Sequence, residues 1–397
     1  MKILMVNKFL FPKGGSETYM FKLGEYLTSI GHEVQYFGME HPDNCVGNNA
    51  KAYTSNMDFH NAGALSKIKY SLKTIYSPEA RKKMKAVLED FAPDAVHLNN
   101  FNYQLTPSVI NAVNDYEKQS GKRIRLIYTA HDYQLVCPNH MMHTNGRNCE
   151  KCTGGKYFSC AKNKCIHNSF AKSIIGTAEA ALYDITKVYK RIDTVICCSE
   201  FMKSKLDTNP LFKNKTVALH NFINTVENKA IPKDNYVLYF GRYSHEKGIS
   251  VLIEAAEKSD VEFICAGSGP LEEEIEKCDK IRNVGFKSGR ELEELIRKAK
   301  CTVIPSLWYE NCPFSVMESI MYATPVIGSR IGGIPELIDD GKTGYLFNPG
   351  DCEDLLKKIT ALDADDASAH EMSENCLNKR FDTVNTYCEK LIKIYQG

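Results

Sequence analysis

Short apolar runs alternate along this chain with longer stretches whose apolar residues recur at helical spacing. Ile3–Val6 is a continuous apolar run of strand length. After Pro12-Lys13-Gly14-Gly15, the residues Met20, Leu23, Leu27 and Ile30 share one face of a helix starting near Glu17. Gly31 ends that helix, and Glu33–Phe37, Ala95–Leu98, Arg125–Thr129 and Thr194–Cys198 read as further strands. The scheme restarts at Tyr236–Phe240 and runs through strands at Val261–Ala266, Cys301–Ile304 and Pro325–Gly328. Between them lie helices at Ser250–Glu257, Leu271–Lys277, Glu291–Ala299 and Ser315–Met321. Fully apolar strands between amphipathic helices predict parallel sheets covered on both faces, here as two doubly wound α/β domains.

A chain of 397 residues exceeds a comfortable single core, which agrees with two domains. The polar stretch Asn209–Asp234, with Pro210 and Pro232, reads as the linker region. The expected division is residues 1–205, then 206–375, then a last segment 376–397. In that segment Val384, Tyr387, Leu391 and Tyr395 recur at helical spacing.

Composition narrows the class. The chain is 43% hydrophobic and 25% charged, as soluble globular proteins are, and no apolar run reaches the roughly 20 residues of a membrane span. The start reads as a buried strand rather than a secretory signal, so a cytoplasmic protein with reduced thiols is expected. The formal net charge of +1 conceals an asymmetry. Residues 1–215 hold 29 Lys and Arg against 19 Asp and Glu, whereas 216–397 hold 21 against 30. An N-terminal half facing an anionic surface or ligand is implied, with no sign of nucleic-acid binding.

Candidate chemistry gathers at strand ends. Glu310-Asn311-Cys312-Pro313-Phe314-Ser315-Val316-Met317-Glu318 follows the strand Cys301–Ile304 and places two carboxylates eight residues apart around a helix start. Ser315-x-x-Glu318 reads equally as a capping box. Gly241-Arg242-Tyr243-Ser244-His245-Glu246-Lys247-Gly248 follows Tyr236–Phe240. It puts two cations beside a glycine turn, which suits a diphosphate leaving group. Gly267-Ser268-Gly269-Pro270 can turn tightly beneath a ligand, and Gly14-Gly15-Ser16-Glu17 offers backbone N–H groups at a helix start. His131-Asp132 follows another strand.

The ordered set G-G-S-E, H-D, G-R-x4-K-G, G-S-G-P and E-x7-E resembles the GT4 family of retaining glycosyltransferases with the GT-B fold. The match runs from residue 1 to about 350. The resemblance implies two Rossmann-like domains facing across a cleft, with a C-terminal helix crossing back to the first. It implies a nucleoside-diphosphate sugar donor, a glycan or lipid-linked acceptor on the N-terminal side, and retention of configuration without a catalytic metal. Arg242 and Lys247 would bind the diphosphate, and Glu318 the ribose. Glu310, with the backbone at Cys312, Pro313, Phe314 and Ser315, would hold the transferred sugar. Gly241, Gly267 and Gly269 would approach the donor by backbone, and Val284-Gly285-Phe286 would meet the base. Gly15 would face the phosphate and His131 the sugar or acceptor. Asn311-Cys312-Pro313-Phe314 departs from the Gly or Phe-Gly common after the first Glu in the family.

Two further features stand apart. Within 137–167, Cys149 and Cys152 form a C-x2-C knuckle, and Cys165 with Cys137 or Cys160 completes a structural-zinc set; free thiols or a disulfide are the alternative. Lys67–Tyr76 and Arg81–Lys85 read as a basic amphipathic segment able to touch an anionic membrane from the cytoplasmic side. A dinucleotide oxidoreductase or epimerase lacks a clear G-x-G-x-x-G and the acid after the second strand. A nucleotide switch fails at Glu336, and a non-catalytic sugar-binding module would not need both cations and both carboxylates.

Overall fold

The computed structural model describes residues 1–56, 73–224 and 229–397. Two compact units emerge. The first comprises Met1–Thr144, Cys149–His220 and Val384–Gly397, and the second Asn145–Asn148 and Asn221–Thr383.

The first unit is built on six parallel strands: β1 (Lys2–Val6), β2 (Glu33–Phe37), β3 (Ala95–Leu98), β4 (Arg125–Ala130), β5 (Thr194–Cys197) and β6 (Thr216–Ala218). Their spatial order is β2-β1-β3-β4-β5-β6. The second unit repeats the plan with β7 (Tyr236–Arg242), β8 (Glu262–Ser268), β9 (Ile281–Asn283), β10 (Cys301–Ile304), β11 (Val326–Ser329) and β12 (Gly344–Phe347), ordered β9-β8-β7-β10-β11-β12. The strands are nearly all apolar and buried because helices cover both sheet faces. In each sheet the chain starts on an interior strand, works to one edge and returns to the other side. The order therefore reverses between β1 and β3, and again between β7 and β10. Ligands of open α/β sheets bind at the carboxyl ends of the strands flanking such a reversal.

The two α/β units are those the alternation of strands and helices predicts, but their edges differ. β6 lies inside the stretch read as linker and pairs with β5, Val195 against Thr216, so the first unit runs to His220 rather than 205. Three half-buried residues amid polar neighbours give too short a signal for a strand. β9 is short in the same way, and β12, though largely buried, has only four residues. The helix Asp366–Asn378 buries Ala369, Met372 and Cys376 within the second unit, so the return to the first begins at Val384 and not at 376. Lys67, Lys69 and the rest of the basic segment before Lys73 lie outside the described residues. Beyond them, Arg81–Lys85 falls in the helix Pro78–Phe91.

The last helix, Val384–Gln396, belongs to the first unit and buries Tyr387, Cys388, Leu391 and Tyr395. Its tyrosines enter a buried hydrogen-bond network. The hydroxyls of Tyr387 and Tyr19 are 2.7 Å apart, and Tyr19 reaches Thr129 Oγ1 at 3.1 Å. His97 bridges Tyr395 through Nδ1 and Thr129 through Nε2, each at 2.7 Å. The network satisfies polar groups that burial would otherwise penalise.

Burial lowers the His97 pKa from 6.5 to about 3, so the folded protein keeps this imidazole neutral. The unfolded chain binds a proton near pH 6.5, and stability from this group is therefore complete above that value and lost as pH falls. From His97 alone the loss is about 1.4 kcal/mol per pH unit below about 6.5, ending near the folded pKa. The imidazole resonances of His97 should stay constant from about pH 8 to about pH 5 while the protein remains folded. A titration midpoint near the ordinary value would contradict the assignment.

Candidate active site

The reversal in the second sheet sets β7 beside β10, and their carboxyl ends carry Gly241-Arg242 and Pro305-Ser306. β8 runs in register with β7, Gly241 against Gly267 and Arg242 against Ser268. A Cβ on Gly267 would lie 1.9 Å from the Gly241 carbonyl oxygen, so only glycine allows the two strand ends this approach. Gly248 holds φ at +77°, and a Cβ there would stand 1.9 Å from the Pro305 carbonyl oxygen. That contact, with the Leu307 N–H donating to the Glu246 carbonyl at 2.9 Å, binds the loop after β7 to the loop after β10.

The consequence is an ion pair at the sheet edge. Lys247 Nζ donates to Glu310 Oε1 at 2.6 Å, and Ser306 Oγ donates to the same oxygen at 2.7 Å. Glu310 is 6% exposed. Burial pushes its pKa up, but the Lys247 charge and the hydrogen bonds from Lys247 and Ser306 outweigh that and hold the carboxyl below its ordinary range. The Lys247 ammonium also lies 5.2 Å from the centre of the Trp308 ring. Gly333 N–H donates to the Glu310 carbonyl at 2.7 Å, which fixes the backbone beneath the carboxylate. Arg242 is exposed, and its guanidinium makes no ion pair among the described residues. Arg242 with Lys247 on one side and Glu310 on the other, two separate motifs in the sequence, thus belong to the carboxyl edges of neighbouring strands.

The helix after Glu310 runs Phe314–Met321 with Pro313 at its N-cap and no side-chain cap. Ser315 is therefore inside the helix, and its carbonyl accepts from Ser319 Oγ at 2.7 Å, so the capping-box reading fails. Glu318 lies one turn on and is half-buried. Cys312 is buried, with its thiol 3.8 Å from Met317 Sδ and its carbonyl accepting from Asn221 Nδ2 at 3.3 Å. Gly269, at φ +155°, packs on the Tyr243 backbone. Val284 N–H donates to the Cys265 carbonyl at 2.9 Å, and the Phe286 ring is 75% exposed.

The first unit has its own polar cluster at the reversal. Gly15 opens the helix Gly15–Ser29, and Asn7 Nδ2 donates to Glu17 Oε1 at 2.9 Å. His131 Nε2 lies 3.0 Å from Asn99 Oδ1, and burial lowers its pKa to about 4, so it is a neutral hydrogen-bonding group near neutrality. Lys8 and Asn102, which carry no motif of their own in the sequence, stand close by with Asp132 and His140. Lys8 Nζ donates to Asn102 Oδ1 at 2.9 Å, Asn102 Nδ2 donates to Asp132 Oδ2 at 3.3 Å, and Asp132 pairs with His140 at 3.4 Å. Lys8 lies one residue beyond Asn7, which follows β1, and the rule that singled out His131 after β4 reaches it too.

In the cysteine loop, Cys152 and Cys160 are buried in one small core with Tyr157, and Cys165 packs against it. Cys137 Sγ contacts Asn139 Oδ1 at 3.2 Å. Among the described residues, no three His, Cys, Asp or Glu side chains converge on a point where a metal ion would sit.

Comparison with known proteins places this geometry. The Glycosyltransferase Family 4 model matches residues 13–227, more than half of the chain, and the model for glycosyl transferases group 1 matches 222–379. The chain belongs to glycosyltransferase family 4. A 42.6 kDa uncharacterized protein in the cps region of Klebsiella pneumoniae is 24% identical over the full length of both chains. An uncharacterized glycosyltransferase of Methanocaldococcus jannaschii is 30% identical over 46% of this chain and 53% of its own length. The chain thus spans about half of that relative. Among solved structures, Anabaena HepE in complex with UDP superposes over all of both chains with a TM-score of 0.69 at 16% identity. Sucrose-phosphate synthase from Thermosynechococcus elongatus superposes with a TM-score of 0.69 at 18% identity, covering 100% of this chain and 98% of its own. These neighbours carry the GT-B fold, and the chain is a glycosyltransferase of that architecture.

Proposed function

We propose that the chain is a retaining, metal-independent transferase of a hexosyl or N-acetylhexosaminyl group. Its donor is a nucleoside-diphosphate sugar, and its acceptor a glycan or lipid-linked glycan in surface polysaccharide assembly. It works in the cytoplasm and at the inner face of the cell membrane. The observation that carries the reading is the Lys247–Glu310 pair beside exposed Arg242 at the carboxyl ends of β7 and β10. Support for the pathway comes from the full-length similarity to the cps-region protein, and from an Escherichia coli O-antigen chain mannosyltransferase 24% identical over 49% of this chain. HepE is also described in complex with UDP and glucose, which favours a nucleotide-sugar donor.

In this mechanism the bond from the anomeric carbon to the diphosphate oxygen breaks first. Negative charge grows on the leaving phosphate, and Arg242 and Lys247 neutralise it as it develops. The acceptor hydroxyl attacks on the same face, and its proton passes to the departing phosphate oxygen. Glu310 acts as an oriented acceptor for sugar hydroxyls, since Lys247 keeps it ionised. Glu318 takes the ribose hydroxyls, and the turns at Gly241, Gly267 and Gly269 admit the donor by backbone. Val284 and Phe286 border the base. Gly15 serves the donor phosphate, and the neutral imidazole of His131 the sugar or acceptor. No step requires a metal; the cysteine loop is instead read as structural, holding one zinc through Cys149, Cys152, Cys165 and either Cys137 or Cys160. That reading rests on the C-x2-C spacing and on the shared core of Cys152, Cys160 and Cys165, and it requires the loop thiols, which do not converge in the structure, to draw together around the ion.

Arg242→Ala and Lys247→Ala should each lower turnover by about 100-fold or more, the size of losing one preorganised charge donor. Nucleotide release measured across a panel of nucleotide sugars gives the readout. Unchanged turnover in both variants would overturn the diphosphate assignment. Binding without release for every donor would favour a non-catalytic module, and interconversion of free nucleotide sugars an epimerase. For the loop, elemental analysis of purified protein should give about one zinc per chain, lost with thermal stability on Cys149→Ser plus Cys152→Ser. Metal-free protein of unchanged stability would rule the zinc out.

A further inference from the structure

Six of the eight large apolar side chains exposed among the described residues lie between positions 141 and 185. Four of them, Phe170, Ile174, Leu182 and Ile185, stand on the helix Phe170–Ile185 and are 51%, 43%, 37% and 77% exposed. Exposed Ala178 falls between them at the same spacing, so one face of the helix is apolar from end to end. The buried face carries Ser173, Gly176, Glu179 and Tyr183 instead. An ordinary surface helix has the opposite polarity. The short helix Phe158–Lys162 packs against it and adds Phe158, 71% exposed.

Charge decides what covers this face. Residues 149–191 hold eight Lys and Arg against three Asp and Glu. Of the three acids Glu179 is buried, Glu150 is paired with Lys205 at 2.7 Å and Asp184 with Lys187 at 3.2 Å. Lys156, Lys162, Lys164, Lys172, Lys187 and Lys190 are all exposed around the apolar stripe. A second copy of the chain meeting this face across a two-fold axis would bring lysines against lysines. An anionic bilayer satisfies both halves, with apolar side chains entering the acyl boundary and ammonium groups at the headgroups. The segment singled out from sequence is weaker in this respect where it is described. Lys73 pairs with Glu79 at 3.2 Å, Arg81 with Asp115 at 2.6 Å and Lys85 with Glu89 at 3.6 Å.

We propose that the outer face of helix Phe170–Ile185, with Phe158, is the surface by which the first unit docks on an anionic membrane. The inference rests on the reading that the enzyme works at a membrane, and it moves the contact away from the segment 67–85. Sedimentation of the full chain with phosphatidylcholine vesicles, with and without phosphatidylglycerol, tests it. Wild type should pellet with the anionic vesicles, less so at high salt. Ile174→Ser plus Ile185→Ser, both on exposed positions, should bind at least about tenfold more weakly while keeping the wild-type melting temperature. Lys156→Glu plus Lys164→Glu plus Lys172→Glu should lose the preference for anionic lipid. If the serine variant pellets as wild type does, the docking face lies elsewhere and the membrane reading survives. If wild type pellets with neither vesicle, both fall. A wild-type dimer in light scattering that the serine variant abolishes would assign the face to a second copy and overturn the proposal.

Discussion

A carboxylate that is buried to 6% exposure must be compensated, and in the second unit Glu310 is compensated by Lys247. Removing water from one ion costs several kcal/mol, and a partner at 2.6 Å with a hydroxyl on the same oxygen offsets that cost. The pair exists only because the loops after β7 and β10 meet. Their meeting depends in turn on the glycine at 248, whose backbone lies against Pro305. The strand reversal brings these loops side by side, and Gly332 and Gly333 hold the Glu310 backbone from below. Take away the ion pair, and this edge is left with an uncompensated buried charge.

The first unit solves a different problem at its corresponding edge. Its polar groups are amides, the half-buried Lys8, the carboxylates of Glu17 and Asp132, and His131, which burial keeps neutral. Lys8 has its pKa lowered chiefly by desolvation, with Asp132 and Glu17 opposing. Such a surface can exchange hydrogen bonds with hydroxyl-rich ligands at little electrostatic cost. The last helix supports it from behind through Tyr19, Thr129 and His97, so the fold of the first unit depends on the final residues of the chain.

Much of this was legible in the sequence because strands buried on both faces write themselves as apolar runs. Ile3–Val6, Tyr236–Phe240 and Cys301–Ile304 were readable for that reason, and the glycine turns and charged residues just after them followed. The short edge strands Thr216–Ala218 and Ile281–Asn283 were not, since three partly buried residues carry no period, nor was Gly344–Phe347, which is largely buried but opens on a glycine and holds only four residues. Ser315 misled because a Ser-x-x-Glu spacing records only local sequence, while Pro313 and Phe314 fix where the helix starts. Ion pairing between Lys247 and Glu310, 63 residues apart, was out of reach. Each residue was assigned alone, and only strand order shows that they share one edge. The apolar outer face of Phe170–Ile185 escaped notice because its period looks the same whether it faces core or solvent.

The central claim is that Lys247 and Glu310 act as one unit in catalysis. A double-mutant cycle on kcat/KM with Lys247→Ala, Glu310→Ala and the double variant tests it most directly. Residues in direct contact at a shared site should couple by at least about 1 kcal/mol, so the double variant should lose at least about fivefold less than the product of the two single losses. Strictly additive losses would show that the two act independently and would contradict the account.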